Sequence, residues 1–277
     1  MNYRHAYHAG NFADLLKHAA LTAVLTALRH DPAPLQVLDT HAGAGLYDLG
    51  AEMAAKSGEA QAGIARLMAD EDAPPAFGAL KAAVRAVNPG GGLRLYPGSP
   101  VLTAQGLRPG DAYLGCELRS DDHALLARAL SKHGGGQAQA LQGDGYEQAA
   151  RAAPLGMRRM VLIDPPFEAA DEYRRITEAV AAVLSRDPGA AMAIWVPIKD
   201  LDTFDRFITG LESVRPPRLV IVEARLRPLD QPLRLNGCAM AIVGAPTEIE
   251  PAMEAAARWA VKRLGDAGGA ARLWRPA

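Results

Sequence analysis

The chain of 277 residues carries 30 lysines and arginines against 31 aspartates and glutamates, a formal net charge of −1. This balance excludes the global basic signature of a nucleic-acid-binding protein, so any such contact must come from a local patch. The length allows one large α/β domain, with or without a modest insertion, and does not require two independent domains.

Apolar runs and helical patterns alternate along most of the chain. A first helix is predicted over residues 13–30, where apolar residues recur at helical spacing before an Asp-Pro-Ala-Pro stop. Seven strands are predicted: one starting at residue 35, then 112–118, 137–141, 159–164, 191–197, 218–226 and 238–246. Helical patterns at 121–133, 146–153, 172–186, 201–213 and 251–264 separate most of them. The alternation predicts an α/β fold with a mostly parallel seven-stranded sheet and helices on both faces.

One interval interrupts this alternation. More than sixty residues separate the glycine turn near residue 45 from the strand at 112, and they include helical runs around 51–70 and 76–87. An ordinary crossover between parallel strands needs only one helix. We therefore predict an inserted helical subdomain at 46–98, with 1–45 and 99–277 forming the core.

The cysteines and the apolar segments indicate a cytoplasmic protein. The only two cysteines, Cys116 and Cys238, lie in apolar, strand-like contexts, which predicts reduced, buried thiols rather than a metal site. The N-terminal segment lacks the apolar core of a signal peptide, and no segment approaches the ~18 apolar residues of a membrane span. We expect a cytoplasmic protein with no bound metal and no membrane association.

A polar or glycine-containing segment lies at the end of each of the first three predicted strands. Ligands of open α/β sheets bind outside the carboxyl ends of the strands, so these segments are candidate site residues. The first is the turn DTHAGAG at 39–45, whose glycines let the backbone approach a ligand closely. Glu117 lies at the end of the second predicted strand and could accept hydrogen bonds from a ribose diol. The alternative interpretation is a solvated acid before a helix. For Gly143-Asp144-Gly145, a helix N-cap and turn is the simpler interpretation.

A fourth segment, Asp164-Pro165-Pro166-Phe167, follows the continuously apolar run 160–163. Such a run predicts a strand covered on both faces, and the two prolines must end it in a rigid turn. An acid, two prolines and an aromatic ring at the end of a central strand are typical of methyltransferases that modify exocyclic amino groups of nucleobases. A strand ended by prolines alone would leave the acid and the ring unexplained.

The residue types of this segment suit adenine N6. Its lone pair is delocalised into the ring, so the amine is a poor nucleophile until acceptors hold its hydrogens. Asp164 and a proline carbonyl can supply those acceptors, and Phe167 offers a stacking face worth about 1 to 3 kcal/mol to an extruded base. As the methyl group transfers, the nitrogen becomes cationic and Asp164 can stabilise that charge. Asp164 or solvent could then take the excess proton.

Six motifs together resemble one known family over most of the chain. They are NYRHAYHAGNFADLLKH at the N-terminus, LDTHAGAG, LYPGSP, CEL, GDGY and IDPPF. In these motifs the chain is similar to the bacterial 23S rRNA adenine-N6 methyltransferases. The resemblance implies a Rossmann-like core that uses S-adenosylmethionine, yields S-adenosylhomocysteine and contains a helical insertion. It implies one adenine of 23S rRNA, free of ribosomal proteins, as the substrate.

The resemblance also implies roles for individual residues. Asp164 would be the catalytic acid/base, Tyr3 would contact the substrate, and His5 and Lys17 would shape the site over the flipped base together with Pro165 and Phe167. The cofactor would be lined by His18, His41, Gly43, Ser99, Glu117, Asp144 and Gly145. Without the resemblance, His5 and Lys17 read as a solvated arm and the polar face of the first helix. Phe167 departs from the family, in which tyrosine is common there.

Two alternatives stay open. A DNA adenine-N6 or rRNA guanine-N2 methyltransferase would use the same residue types after the same strand, and only the N-terminal motif argues against it. A non-catalytic nucleotide-binding or RNA-binding module would keep the fold, but Asp164, the glycine turn and Glu117 together argue against that. We expect a monomer with a local RNA-facing surface formed by Arg4, Lys17, Lys56, Arg66, Lys81, Arg85 and Arg94.

Overall fold

The computed structural model describes residues 5–151, 153–229 and 235–276. The α-helices of these residues are α1 (Phe12–Leu28), α2 (Glu52–Ser57), α3 (Arg66–Ala69), α4 (Gly78–Val87), α5 (Ser99–Gly106), α6 (Ser120–His133), α7 (Gly145–Ala149), α8 (Glu172–Arg186), α9 (Leu201–Ser213) and α10 (Glu250–Leu264). The strands are β1 (Leu35–Asp39), β2 (Leu46–Asp48), β3 (Leu95–Pro97), β4 (Ala112–Glu117), β5 (Ala138–Gln142), β6 (Arg158–Ile163), β7 (Ala191–Ile198), β8 (Leu219–Arg225), β9 (Gly237–Val243) and β10 (Ala270–Trp274).

The described residues form a central sheet of eight strands in the order β10-β8-β9-β7-β6-β1-β4-β5. Strands β5, β4, β1, β6 and β7 are parallel, and β9 runs antiparallel to both β7 and β8. The predicted α/β fold and all seven predicted strands are confirmed. The strand count was wrong by one, because β10 adds an antiparallel edge strand beside β8 that is only half-buried and gives a weak apolar signal.

The direction in which strands are added reverses at β1. The chain proceeds outward from β1 to β4 and β5, then returns to place β6 on the other side of β1. In open α/β sheets, ligands bind at such a reversal, outside the carboxyl ends of the two strands. The ends of β1 and β6 therefore define the expected binding crevice.

Strand β6 is covered on both faces, as its apolar run predicts. Met160 and Leu162 belong to the hydrophobic cluster that contains α1, whereas Val161 and Ile163 belong to the cluster that contains α8 and α9. All four side chains are fully buried. Burial on both faces fixes the end of β6, so the turn that follows it has a rigid support.

The segment between β1 and β4 contains the short helices α2, α3 and α4 and the two-stranded antiparallel sheet β2–β3. Its buried residues, such as Ile64, Phe77 and Leu80, pack in the same hydrophobic cluster as α1. The division into a core and an inserted subdomain at 46–98 stays a prediction. Among the residues that the structure describes, no helix has the length and apolar character needed to cross a membrane.

Candidate active site

A cavity of about 380 Å³ opens at the carboxyl ends of β1, β4, β6 and β7. Both Asp164 and Gly43 line it, so the Asp-Pro-Pro-Phe turn and the glycine turn share one space. The sequence analysis assigned both turns to one ligand site, which requires them to lie this close together. It arises because β1 and β6 are neighbours, with Asp39 at the end of β1 paired to Leu162 in β6.

Backbone hydrogen bonds tie the glycine turn to the strands on either side. The Thr40 N–H donates to the Leu162 carbonyl at 3.0 Å, and the Ala42 N–H donates to the Cys116 carbonyl at 2.9 Å. Gly43 has φ +62°, and a Cβ there would lie 2.4 Å from the Tyr47 hydroxyl. The positive φ therefore favours glycine at 43, and a side chain there would also displace the Tyr47 hydroxyl.

Glu117 at the end of β4 contacts this turn and lines the cavity. Its carboxylate accepts hydrogen bonds from the Gly43 N–H at 3.1 Å and the Arg119 N–H at 2.8 Å. Burial raises the pKa of this carboxyl above its ordinary value, against the lowering effect of the two backbone donors. The solvated-acid interpretation is therefore wrong: the carboxylate is partly buried and faces the cavity.

The Asp164–Phe167 turn has an unusual backbone. Phe167 has φ +52°, a left-handed conformation that costs a non-glycine residue about 1 to 3 kcal/mol. Its ring contacts those of Tyr173 and Trp195 at centroid distances of 5.0 and 5.6 Å. The two preceding prolines and these rings hold Phe167 against the cavity, where a flat ligand could stack.

The Asp164 carboxylate forms a buried ion pair with Lys17 of α1. The Lys17 ammonium lies 2.5 Å from Asp164 Oδ2 and 2.7 Å from Asp14 Oδ1. Burial alone would lower the pKa of Lys17, but the two carboxylates outweigh burial and hold its pKa well above the ordinary value. Asp14 is buried too, and His5 and Lys17 keep its pKa well below the ordinary range despite burial. Lys17 therefore stays protonated and Asp14 stays ionised.

The structure places the N-terminal residues at the same cavity. His5 lines it and its Nε2 lies 3.1 Å from Asp14 Oδ2. Lys17 is only 5 % exposed, so the interpretation of this residue as part of a solvated helix face is wrong. Tyr3 lies outside the described residues. The His8 side chain contacts the Glu59 carboxylate, which connects the N-terminal segment before α1 to the residues that follow α2.

Of the three remaining predicted cofactor residues in the first half of the chain, two line the cavity. His41 lies there with its ring 4.9 Å from that of Tyr146, and burial lowers its pKa to about 4. Ser99 lines the cavity and donates to Asp39 Oδ2 at 2.7 Å. His18 does not line it: the ring is fully buried, with Nδ1 2.7 Å from the Tyr96 hydroxyl. Its Nε2 has no hydrogen-bond partner among the described residues.

Asp144 and Gly145 do not line the cavity. Asp144 caps α7 by accepting the Tyr146 N–H and pairs with Arg175 at 2.6 Å, so the interpretation of an N-cap and turn is confirmed. At Gly145, a Cβ would lie 2.0 Å from the Thr40 carbonyl oxygen. Glycine there lets α7 pack directly against the glycine turn. A contact of either residue with a cofactor stays a prediction.

Several side chains at the site were not identified from the sequence. Asp14 could have been suspected from its i,i+3 spacing to Lys17 on one helix, but the spacing does not show that both are buried. Lys199 lines the cavity directly after β7, and the strand-end rule would have found it had it been applied there. Burial raises the pKa of Asp39 to about 6, while hydrogen bonds from Ser99 and Tyr113 act in the opposite sense.

The sheet order, the glycine turn after β1 and the Asp-Pro-Pro-Phe turn after β6 together define a Rossmann-like S-adenosylmethionine-dependent methyltransferase fold. A family model described as "Ribosomal RNA large subunit methyltransferase D, RlmJ" matches residues 32–276. The chain belongs to this family.

Relatives of known sequence or structure agree with that assignment. The chain is 33% identical over 269 residues to "Ribosomal RNA large subunit methyltransferase J" of Escherichia coli (strain K12), covering 97% of this chain and 95% of the relative. It is 31% identical to the protein of the same name from Haemophilus influenzae, covering 95% and 94%. The crystal structure of a Legionella pneumophila protein superposes with a TM-score of 0.89 at 26% identity, covering 97% of this chain and 98% of that one.

Proposed function

We propose that this protein transfers a methyl group from S-adenosylmethionine to N6 of one adenine in 23S rRNA. The observation that carries the proposal is that Asp164 and Gly43 line one cavity, so a carboxylate and a nucleoside-binding turn face the same ligand space. Large-subunit rRNA as the substrate is inferred from the names of the relatives. The target adenine must leave its stack to enter the cavity, as bases do in other enzymes that modify them.

The end of the cavity near β1 and β4 fits the cofactor. Gly43 exposes its backbone to the cavity, and the Glu117 carboxylate can accept from a ribose diol. His41 and Ser99 line the same region. His18 does not line the cavity, and its contact with the cofactor stays a prediction. When bound, S-adenosylmethionine supplies an electrophilic methyl group on sulfur. Asp144 and Gly145 are proposed to contribute to this end.

The end near β6 fits an adenine. Phe167 offers the stacking face, while the Pro165 carbonyl and Asp164 are candidate acceptors for the amine hydrogens. Lys17 contacts Asp164 Oδ2, and within the described residues no hydrogen bond is made by Oδ1. One oxygen therefore orients the carboxylate and the other is left to accept from the amine.

The chemistry follows from this arrangement. Holding the amine hydrogens localises the nitrogen lone pair, and the carboxylate of Asp164 stabilises the positive charge that develops on nitrogen. The surplus proton leaves to Asp164 or to water. Lys17 cannot accept it, because its raised pKa keeps it protonated. His5 and Lys17 are therefore proposed to shape the substrate end of the cavity, and Tyr3 is proposed to contact the substrate.

The structure bears on several residues of the predicted RNA-facing surface, although Arg4 lies outside the described residues. Lys17 is buried in an ion pair, so it is removed from that surface. Lys56 pairs with Glu52 at 2.6 Å and Arg94 pairs with Asp48 at 3.1 Å, which reduces their free charge. The remaining part of this surface stays a proposal, as do action on RNA free of ribosomal proteins, a monomeric state and a cytoplasmic location.

The test is methyl transfer by the purified protein to 23S rRNA transcripts without ribosomal proteins and, in a parallel assay, to duplex DNA. Both assays use methyl-labelled S-adenosylmethionine and mass mapping of the product. The proposal expects N6-methyladenine at one position. Label in N6-methyladenine of duplex DNA, or in N2-methylguanine of the rRNA, would establish one of the rival enzymes instead. No transfer together with no binding of S-adenosylhomocysteine would favour the non-catalytic module.

A further inference from the structure

Among the residues that the structure describes, those lining the cavity include more acidic than basic side chains. Four carboxylates line it (Asp14, Glu117, Asp122 and Asp164), against the cations of Lys17, Arg119 and Lys199. An RNA phosphate carries a negative charge, so this interior accepts a base more readily than the backbone that bears it. The phosphate next to an extruded base must therefore be held at the edge of the cavity.

Of the three lysine and arginine side chains that line the cavity in the described part of the chain, two are already neutralised. Lys17 pairs with Asp14 and Asp164, and Arg119 pairs with Asp121 at 3.1 Å and Asp122 at 3.2 Å. Lys199 is exposed and forms no salt bridge with any residue that the structure describes. The neighbouring Asp200 directs its carboxylate to the Thr203 N–H at 2.7 Å and so caps α9. Among the described residues that line this cavity, Lys199 is thus the lysine or arginine with charge left for an anion.

One face of β7 connects Lys199 to the aromatic end of the site. Trp195, Pro197 and Lys199 all line the cavity. Trp195 and Pro197 lie on one face of β7, because alternate residues of a strand point to the same face, and Lys199 comes directly after the strand ends at Ile198. Ile163 pairs with Ile194, so Trp195 lies level with Asp164, and Lys199 lies four residues further, about 13 Å along the strand direction. From the interior to the edge, these residues present an aromatic ring, a proline ring and an ammonium group.

We propose that Lys199 binds a backbone phosphate of the RNA nucleotide whose base enters the cavity, with Pro197 against the ribose. This inference deepens the proposed function and rests on it for the identity of the polymer. Lys199 contacts the substrate in both the ground state and the transition state, far from the reacting nitrogen. Its loss should therefore raise KM for RNA and leave kcat unchanged.

The experiment compares RNA binding by the wild-type protein and the Lys199→Gln, Lys199→Arg and Lys132→Gln variants across a salt series. Lys132 is an exposed lysine near the end of α6, outside the cavity, and serves as the matched control. The logarithm of the RNA association constant falls as the logarithm of the salt concentration rises. In Lys199→Gln this dependence should be shallower by about 0.7 to 0.9, because one phosphate contact is lost. Its KM should rise about two- to fivefold at unchanged kcat, the scale of an exposed ion pair. Lys199→Arg should restore both values.

The inference is overturned if Lys199→Gln has the same salt dependence of RNA binding and the same KM as Lys132→Gln. A fall in kcat at unchanged KM would also overturn it. Affinity for S-adenosylhomocysteine should be the same in all four proteins, which shows that the cofactor end is intact. The binding series requires no methyl transfer, whereas the proposed function fails if the wild-type protein methylates no 23S rRNA. The two failures are therefore read from different measurements.

Discussion

The ammonium of Lys17 lies 2.5 Å from Oδ2 of Asp164, although the two residues are 147 positions apart in the chain. This contact joins the first helix to the end of the central strand β6 inside the cavity. It fixes the orientation of the Asp164 carboxylate before any ligand is present, which lowers the reorganisation needed for catalysis. The N-terminal helix is therefore part of the site and not only part of the core.

Replacing Asp164 by asparagine should lower the rate of methyl transfer at least ~100-fold, the usual scale for a lost charge-stabilising or proton-accepting group. The amide keeps the shape of the side chain, and Lys17 keeps Asp14 as a partner. Affinity for S-adenosylhomocysteine should therefore stay within about twofold of wild type. Single-turnover rates and equilibrium binding, measured on the same preparation, check both statements.

The matched control for this variant is Glu168→Gln, which removes a carboxylate from an exposed position just beyond the same turn. Its rate should equal that of the wild-type protein. A normal rate for Asp164→Asn would remove Asp164 from the mechanism, and equal losses in both variants would mean that only the local charge matters.

Replacing Asp14 by asparagine should lower the free energy of unfolding by about 3 to 5 kcal/mol, because it removes one partner of a buried ion pair. Lys17 would keep only Asp164, which is 17% exposed. Adding Lys17→Met should recover part of the loss, since the unpaired charge is then removed. Urea unfolding of the two single variants and the double variant measures this coupling.

For comparison, Glu52→Gln breaks the exposed Glu52–Lys56 pair and should change the free energy of unfolding by no more than about 0.5 kcal/mol. If Asp14→Asn were equally mild, the ion pair between Asp14 and Lys17 would contribute little to the stability of the fold.

Long elements with strong patterns were predicted closely. Helices α8 and α9 occupy the predicted spans 172–186 and 201–213, because each has a well-formed amphipathic pattern and a clear stop after it. The elements that were missed are short: the β2–β3 pair, helix α5 and the edge strand β10. Three to eight residues give too few repeats for a period to be read, and tertiary packing decides their conformation.

The candidate site divides in a similar way. Asp164, Gly43 and Glu117 were found because they follow strands, and neighbouring parallel strands bring such residues to one edge. The link between Asp14 and Lys17 could not be read in this way, because it depends on α1 covering the end of β6. Helical spacing places the two side chains on one face but does not say whether that face meets water or a second carboxylate.

Replacing Gly145 by alanine should weaken binding of S-adenosylhomocysteine and destabilise the fold, because the new Cβ would lie 2.0 Å from the Thr40 carbonyl oxygen. The atom it meets is backbone of the glycine turn, so the turn itself must move. We expect at least a tenfold loss of affinity, equivalent to about 1.4 kcal/mol. Isothermal titration of the variant with S-adenosylhomocysteine gives the value.

Gly143→Ala is the matched control in the same motif. A Cβ at that position would meet only Leu141 Cγ, at an ordinary distance of 3.9 Å. Its affinity should be close to wild type, so a similar loss in both variants would mean that general loop flexibility, rather than the contact with Thr40, sets cofactor affinity.

The buried imidazole of His18 should make stability depend on pH between about 6.5 and 5. Burial lowers its pKa from 6.5 to about 3, so the folded protein leaves it neutral where the unfolded chain binds a proton. Its contribution to stability is therefore complete above pH 6.5 and is lost as pH falls toward 3, by about 2 kcal/mol between pH 6.5 and 5.

His18→Gln should remove that part of the pH dependence of stability, measured by urea unfolding at pH 7 and pH 5. His41 and Asp39 are present in both proteins, so their effects cancel in the comparison. Equal slopes for wild type and His18→Gln would mean that His18 is protonated or solvated in the folded protein.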